Sequence, residues 1–261
     1  MTYMGGKQKL ADSICPILNK YIRENNIENF YDIFCGGGNI CTHIECENIY
    51  GTDLSPTLIA LLNAAQIDFE RLIDPIPSTR EEWDRCYAEY KELQAVDFDL
   101  MKRAPRIPLR EIGAIEWFAS FSGRGFPGGY GVKSTGRNLF EERKKNLREQ
   151  SKTGSYQRIH FDVSDYRKLQ IEKPNSLIYA DAPYKGTKKY GINNKTHPFD
   201  YDEYYNWLRE QATRYPIFIS EEWMPDDFIE VWHKPTKRSL DANNDTRKVA
   251  TEKLFFIDRR G

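Results

Sequence analysis

The sequence predicts an α/β protein with a mostly parallel sheet. Short apolar runs typical of buried strands alternate with stripes of apolar residues at helical spacing. A glycine-rich turn follows the first run, and a later run stops at an acidic residue. With 261 residues, 39% hydrophobic and 30% charged, the chain can bury a large core and has no apolar segment long enough for a membrane span. We therefore expect one globular chain with an inserted lobe.

The first part of the chain reads as a helix followed by two strand–helix units. A stripe of apolar residues predicts a helix over about residues 7–23. A buried strand over 30–34 then runs into the glycine turn 35–39, where Asn39 can cap a following helix. A second strand ends at Asp53, and a serine and a proline open the next helix.

The alternation of predicted strands and helices is interrupted between residues 75 and 154. This stretch contains a charged helical stripe, an aromatic-rich one, and the glycine-rich loop 122–131. We predict that 75–154 forms an inserted lobe, and that 1–74 and 155–261 together form the α/β domain.

Three further strands follow the lobe, over 157–161, 176–181 and 217–220. Two closing apolar runs, 228–232 and 253–257, predict an antiparallel pair at one edge of the sheet. Together with the two strands before the lobe, they bring the predicted sheet to seven strands.

Charge is unevenly distributed along a chain whose formal net charge is −1. Residues 41–100 carry 13 acidic and 4 basic side chains, whereas residues 101–150 carry 11 basic and 5 acidic ones. The basic stretch falls inside the predicted lobe. It is typical either of a solvated face or of a surface that binds a polyanion, and composition alone favours the solvated face.

The cysteine content and the first residues of the chain indicate in which cellular compartment the protein is expected. The five cysteines are odd in number and form no Cys-x-x-Cys pair, so we predict neither a disulfide framework nor a metal site. The first residues lack the apolar core of a signal peptide. We therefore expect a cytoplasmic protein with buried thiols.

Two features predict a nucleoside ligand. The glycines of the turn 35–39 would let a ligand approach the backbone, and a following helix would present free N–H groups and its positive dipole end. Asp53 ends the next strand, where an acidic residue usually binds ribose hydroxyls. The turn does not match Gly-x-Gly-x-x-Gly, and glycine turns also occur in ordinary loops.

The sharpest signal is Asp181-Ala182-Pro183-Tyr184 at the end of an apolar strand. A carboxylate and a nearby carbonyl can accept both hydrogens of an exocyclic amine, while an aromatic ring stacks on the base that carries it. This geometry suits chemistry at N6 of adenine. An Asp-Ala-Pro turn with a packing tyrosine is the alternative, and the tetrapeptide alone does not decide between them.

Five motifs, in this order, resemble those of the Dam-type, or D12 class, DNA adenine N6-methyltransferases, particularly phage-encoded ones. They occupy residues 3–7, 32–39, 51–53, 160–162 and 181–184. The resemblance spans nearly the whole chain. It implies a Rossmann-like methyltransferase fold with a seven-stranded, mostly parallel sheet and a small, largely helical inserted domain that recognises target DNA.

The resemblance also implies site residues. A pocket for the methyl donor S-adenosylmethionine would comprise Tyr3, Lys7, Phe34, Gly36, Gly38, Asp53, Phe161, Asp162 and Asp181. In it, Asp53 would hold the ribose hydroxyls, and Phe161 and Asp162 would flank the adenine of the cofactor. The catalytic residues would be Asp181, Ala182, Pro183 and Tyr184.

The tetrad departs from the family at Ala182, where a proline is usual. If this position contributes its main-chain carbonyl as an acceptor, alanine keeps the acceptor and loses only the rigidity of the ring. We therefore expect activity to survive. The acid at Asp181 also favours adenine over cytosine as the target.

With this resemblance the basic stretch acquires a role in binding double-stranded DNA. Arg124, Lys133 and Arg137 are candidates for a loop or hairpin that enters a groove. Lys188 follows the tetrad, in a segment that either closes over the flipped base or is an ordinary surface loop. Candidates for phosphate contacts are Lys102, Arg103, Arg106, Arg143, Lys144, Lys145 and Arg148.

We expect a monomer that needs no metal and no obligatory protein partner, in the cytoplasm of a bacterial or phage-infected cell. It would act as an orphan enzyme or within a restriction–modification system. Two rival interpretations stay open. Ala182 motivates a methyltransferase-like DNA-binding protein with weak turnover, while the glycine turn and Asp53 alone motivate another Rossmann enzyme, such as a nicotinamide-dependent oxidoreductase.

Overall fold

The computed structural model describes residues 7–95, 105–134, 136–183, 199–237 and 249–260. Its strands are β1 Asn29–Asp32, β2 Asn48–Asp53, β3 Lys133–Ser134, β4 Arg137–Asn138, β5 Ile159–Val163, β6 Ser176–Ala180, β7 Ile217–Glu221, β8 Ile229–Lys237 and β9 Val249–Ile257. Seven of them form one sheet in the order β5-β2-β1-β6-β7-β9-β8, and β3 pairs with β4 in a small hairpin.

The sheet is parallel from β5 through β7, and β9 runs antiparallel to both β7 and β8. This confirms the predicted seven-stranded, mostly parallel sheet with an antiparallel pair at one edge. Strand boundaries shift by a few residues. For example, β5 starts at Ile159 because Tyr156–Arg158 form a 3-10 turn.

The helices are α1 Ala11–Glu24, α2 Pro56–Ile67, α3 Phe69–Leu72, α4 Arg80–Ala95, α5 Leu109–Phe118, α6 Leu139–Ser151 and α7 Tyr201–Gln211. Helix α1 begins four residues later than predicted, because Lys7–Lys9 form a 3-10 turn. In the described part of the chain, no helix is both long and apolar enough to cross a membrane.

The predicted helix after the glycine turn is wrong. Only a 3-10 turn, Cys41–His43, lies between the glycines and β2, and Asn39 caps no α-helix. The connection is too short for both a helix and the return to β2, and the Thr42 hydroxyl donates to the carbonyl of Gly38 at 2.6 Å. The glycine turn therefore has no helix dipole behind it, and its polar groups must come from the turn itself.

Residues of β1 and β6 alternate between two hydrophobic cores on opposite faces of the sheet. Phe30 and Tyr179 pack on the face that also buries α1, α2, α5 and α6. Tyr31 and Ala180 pack on the other face, against α7. Strands β1 and β6 thus lie between two well-packed layers.

The helices between residues 75 and 154 share the first core with the α/β domain. Helix α5 packs on α2 so closely that a side chain at Gly113 would collide with the carbonyl of Thr57. Phe118 of α5 meets Phe140 of α6 edge to face, and both are fully buried. The described part of this segment is largely helical, as predicted, and it packs against the main core.

Candidate active site

Three acidic residues lie at the carboxyl ends of neighbouring strands. Asp32 ends β1, Asp53 ends β2, and Asp181 directly follows β6. Because β1 lies between β2 and β6 and all three strands are parallel, their carboxyl ends meet at one edge of the sheet. We call these three residues the carboxyl edge. Ligand sites of open α/β sheets lie at such an edge.

Asp53 ties the end of β2 to the glycine turn. One of its carboxylate oxygens accepts from the backbone N–H of Gly36 at 3.1 Å, and the other from that of Ser55 at 2.9 Å. Gly36 (φ 49°) and Gly38 (φ 69°) adopt left-handed backbone conformations that favour glycine. Burial raises the pKa of Asp53, and these hydrogen bonds oppose that rise. The turn thus presents an oriented carboxyl group beside a backbone without side chains.

Asp181 forms a buried ionic cluster with Lys7 and Glu252. The Lys7 ammonium lies 2.6 Å from a carboxylate oxygen of Asp181 and 3.1 Å from one of Glu252. Burial raises the pKa of Asp181 to about 6, against the lowering effect of Lys7. Burial also lowers the pKa of Lys7, but the two carboxylates outweigh it and the net shift is upward. Lys7 is therefore charged, and it holds the Asp181 carboxylate in place.

Asp32 is the most buried member of the carboxyl edge. It accepts from the backbone N–H of Phe34 at 3.4 Å and from the thiol of Cys41 at 3.5 Å. Burial, with a further contribution from Asp181, raises its pKa to about 8. Sequence reasoning assigned no role to Asp32 or Glu252. Asp32 could have been found, because it ends its strand as Asp53 does, whereas Glu252 reaches the site only through strand pairing.

Aromatic side chains surround the carboxyl edge. Phe34 is half-buried, and its ring contacts Tyr166, Phe199 and Tyr204 with centroid distances of 5.4, 6.1 and 5.8 Å. Phe161 instead packs against the glycines: a side chain at Gly51 would lie 3.1 Å from its ring.

Phe161 and Asp162 differ in exposure. Phe161 is 7% exposed, whereas Asp162, the next residue of β5, is exposed. Phe161 thus supports the glycine turn from within the core. Its role beside the cofactor's adenine stays a prediction.

Three residues of the catalytic tetrad are described, and Asp181 is held by Lys7. Ala182 is 3% exposed and packs in the core that contains α7. The carbonyl of Pro183 accepts from the hydroxyl of Tyr201 at 2.8 Å. Tyr3, Tyr184 and Lys188, which sequence reasoning assigned to the site, lie outside the described residues.

The sequence matches a family model over most of its length. The model for D12 class N6 adenine-specific DNA methyltransferases covers residues 3–210. The chain belongs to this family. It is therefore a DNA adenine methyltransferase, and the interpretation as a nicotinamide-dependent oxidoreductase falls away.

Two proteins that are similar to this D12 class methyltransferase are distant from it in sequence. The Type II methyltransferase M.MjaIII of Methanocaldococcus jannaschii is 21% identical, over 99% of this chain and 98% of that protein. Among solved structures, Thermoplasma acidophilum 1320 is similar with a TM-score of 0.41 and 7% identity, over 97% of each chain.

The candidate DNA-binding residues of the methyltransferase lie around a glycine-rich loop and a small hairpin. Arg124 is flanked by Gly123 and Gly125, both with φ 66°, and its Nε is buried without a hydrogen bond to a described residue. Arg137 lies on β4, where its exposed guanidinium pairs with Glu142. Lys133 lies on β3, where it is paired with Asn138.

The phosphate contacts predicted for Arg143 and Lys144 are wrong. Arg143 donates to the carbonyls of Phe118 and Ser120 at 2.8 and 2.6 Å. Lys144 donates to two carbonyls before α4, at 2.9 and 3.2 Å. Both cations are about 95% buried and stabilise the fold of the methyltransferase.

Helical spacing could have revealed this role. Arg143 and Lys144 share one face of α6 with the buried Phe140 and Leu147, three or four residues away. Lys145 lies on the opposite, exposed face and remains a candidate.

The other phosphate candidates differ in their contacts. Arg148 is engaged with Asp74, and the exposed Arg106 pairs with Glu92. Lys102 and Arg103 lie outside the described residues.

Among the residues that the structure describes, one group of potential metal ligands occurs away from the carboxyl edge of the methyltransferase. Glu82, Cys86 and Glu111 lie close together, but the guanidinium of Arg85 contacts both carboxylates. Burial raises the pKa of the Cys86 thiol to about 12, so it is protonated. This chemistry favours an ion-pair cluster over a metal site.

Proposed function

We propose that this chain transfers the methyl group of S-adenosylmethionine to N6 of an adenine flipped out of double-stranded DNA. The observation that carries this proposal is the Asp181 carboxylate at the carboxyl edge, which is 16% exposed and held by Lys7 at 2.6 Å. In the proposed role this carboxylate and the carbonyl of Ala182 accept the two N6 hydrogens. The ring of Tyr184 stacks on the flipped base.

The residues of the glycine turn fit a nucleoside-containing methyl donor. Asp53 uses each carboxylate oxygen once for a backbone N–H, which leaves acceptor capacity for ribose hydroxyls. Gly36 and Gly38 offer a close approach to the backbone, and Phe34 offers an apolar ring at the edge. The bound donor would supply an electrophilic methyl group on a sulfonium, and no metal is required.

In this mechanism the protein acts by position and electrostatics. Flipping a base costs a few kcal/mol, which stacking on Tyr184 would partly offset. Asp181 is mostly ionised at neutral pH with a pKa of about 6, so it can accept from the amine. Holding both N6 hydrogens orients the nitrogen lone pair towards the methyl group.

DNA contact is expected to be local. The exposed Arg137 and Lys145 would contact phosphates or a groove, and the ion pair of Arg137 with Glu142 is exposed enough to exchange at little cost. Arg124, Lys133 and Lys188 complete the proposed contacts. We further propose that the enzyme acts as a monomer in the cytoplasm, without an obligatory protein partner.

The test is transfer of a radiolabelled methyl group to duplex DNA, with digestion to nucleosides. We expect N6-methyladenine from the wild type, and a fall of about 100-fold or more for Asp181→Ala, since removing one electrostatic contact to the reacting group costs about that much. Asp226→Asn removes an exposed carboxylate and should leave the rate unchanged. An equally active Asp181→Ala variant would contradict the proposal, and DNA binding without transfer would support the weak-turnover alternative.

A further inference from the structure

We propose that Tyr201 is a positioning residue that replaces the rigidity lost with the missing proline at Ala182. This inference rests on the proposed function, because it concerns how the Ala182 carbonyl is held for the target amine. The observation is the 2.8 Å hydrogen bond from the Tyr201 hydroxyl to the carbonyl of Pro183. It joins the tetrad to the first residue of α7, 18 residues further along the chain.

The backbone torsions of the tetrad explain why an anchor at Pro183 would control Ala182. The carbonyl of Ala182 belongs to the peptide plane that precedes Pro183. The ring of Pro183 fixes its own φ near −65° and restricts Ala182 to extended ψ values. Once the carbonyl of Pro183 is also fixed, the plane that carries the Ala182 carbonyl has little freedom left on its carboxyl side.

The remaining freedom lies at φ of Ala182, which a proline would have fixed. On the amino side, Asp181 is held by Lys7, and Ala180 is paired in the sheet. The methyl group of Ala182 is itself packed in the core. With contacts on both sides, φ of Ala182 is the one backbone torsion that they do not restrict directly. Without the hydrogen bond from Tyr201 to Pro183, the tetrad would also be free to move on its carboxyl side.

Tyr201 is well placed to act as a fixed point. It begins α7, where Asp200 caps the helix by accepting from the N–H groups of residues 202 and 203, each at 3.0 Å. Its ring packs edge to face on Phe199 with a centroid distance of 5.0 Å. The next turn of α7 buries Tyr204 and Tyr205 in the same core as Ala182. The hydroxyl therefore extends from a rigid element.

The test is a double-mutant cycle between Tyr201→Phe and Ala182→Pro, read as the single-turnover rate of methyl transfer at saturating donor and DNA. Tyr201→Phe removes only the hydroxyl and should slow transfer about 3- to 10-fold, the worth of one hydrogen bond. In the Ala182→Pro background the same Tyr201→Phe change should slow transfer less than about twofold, because the second proline then restricts the tetrad without the anchor. Donor affinity, measured by calorimetry, should not change.

Tyr205→Phe is the matched control. It lies one turn further along α7, and its buried hydroxyl makes no hydrogen bond to a described residue. Its removal should leave the transfer rate unchanged. If Ala182→Pro fails to fold, as a thermal melt would show, Ala182→Gly serves instead: added freedom at residue 182 should then slow transfer more in Tyr201→Phe than in the wild type.

The possible failures are distinguishable. A wild-type rate for Tyr201→Phe, or additive effects in the cycle, would overturn the anchoring role while the enzyme remained an adenine methyltransferase. If Asp181→Ala were as active as the wild type, the proposed catalytic site would itself be wrong, and the role of Tyr201 would be lost with it.

Discussion

The carboxyl edge and helix α6 both bury charged side chains, and they differ in what those charges contact. Asp53 and Asp181 meet backbone N–H groups or an ammonium at the end of a strand, and both have raised pKa values. In α6, Arg143 and Lys144 are bound by main-chain carbonyls of neighbouring segments.

This difference separates two uses of a buried charge. The buried cations of α6 donate hydrogen bonds to main-chain carbonyl groups. These cations therefore stabilise the fold. The acids of the carboxyl edge are kept where burial opposes their ionisation, which is typical of sites that act on a ligand. We therefore expect substitutions at the edge to affect ligands and those on the inner face of α6 to affect stability.

The largest effect among these further tests is expected at Asp53. Asp53→Ala should weaken S-adenosylmethionine binding about 10- to 100-fold, because hydrogen bonds to a charged group are worth about 1.5–3 kcal/mol. Calorimetry measures this affinity. Asp68→Ala is the control, since Asp68 also accepts from a backbone N–H but caps α3. Equal affinity for S-adenosylmethionine in both variants would contradict the claim that the carboxyl edge binds the ligand.

Adjacent lysines of α6 sharpen the comparison. Lys144→Met should lower the free energy of unfolding by about 2 kcal/mol, because two carbonyls lose a charged donor. Lys145→Ala should leave stability unchanged, weaken DNA binding a few-fold, and reduce the salt dependence of binding by about one counterion. Thermal melts and binding titrations at several salt concentrations measure both. The opposite pattern would show that the inward lysine, not the outward one, contacts DNA.

Glu116 supplies the most pH-dependent effect. Its carboxylate accepts from Thr57 at 2.6 Å, and burial raises its pKa from 4.5 to about 8. A raised pKa in the folded state favours folding below about pH 4.5, and this contribution is lost as the pH rises through 8. Glu116→Gln should therefore melt higher than the wild type at pH 9 and much the same at pH 5.

A matched variant tests the cause of that shift. Glu149→Gln removes an exposed carboxyl group of α6 and should not change the pH dependence of the melting temperature. If Glu116→Gln and the wild type lost stability in parallel between pH 5 and 9, ionisation of Glu116 would not be the cause.

Much of the fold could be predicted from sequence, because the signals were local. Alternating apolar runs identified all seven strands of the sheet, and the acid at the end of each of two strands identified Asp53 and Asp181. The helix expected after Asn39 was wrong because the length of the connection to β2, not the capping residue, decided the local structure.

Contacts between distant residues could not be predicted in the same way. Glu252 joins Lys7 only because β9 inserts between β7 and β8. Tyr201 meets Pro183 because α7 packs over the end of β6. Charge counts likewise overstated the basic surface, since they cannot show that Arg143 and Lys144 face inwards.

The central claim is that the carboxyl edge carries out methyl transfer and that the exposed face of α6 binds DNA. Its most direct test measures transfer rate and DNA affinity together in Asp181→Ala and Lys145→Ala. We expect Asp181→Ala to bind duplex DNA like the wild type, but its single-turnover rate should be lower by about 100-fold or more. We expect Lys145→Ala to bind DNA more weakly yet to transfer methyl groups at the wild-type rate once DNA is saturating. The claim would be contradicted if both variants lost rate and affinity together, or if Asp181→Ala kept its rate. The carboxyl edge and the DNA-binding surface around Lys145 would then not have separate roles.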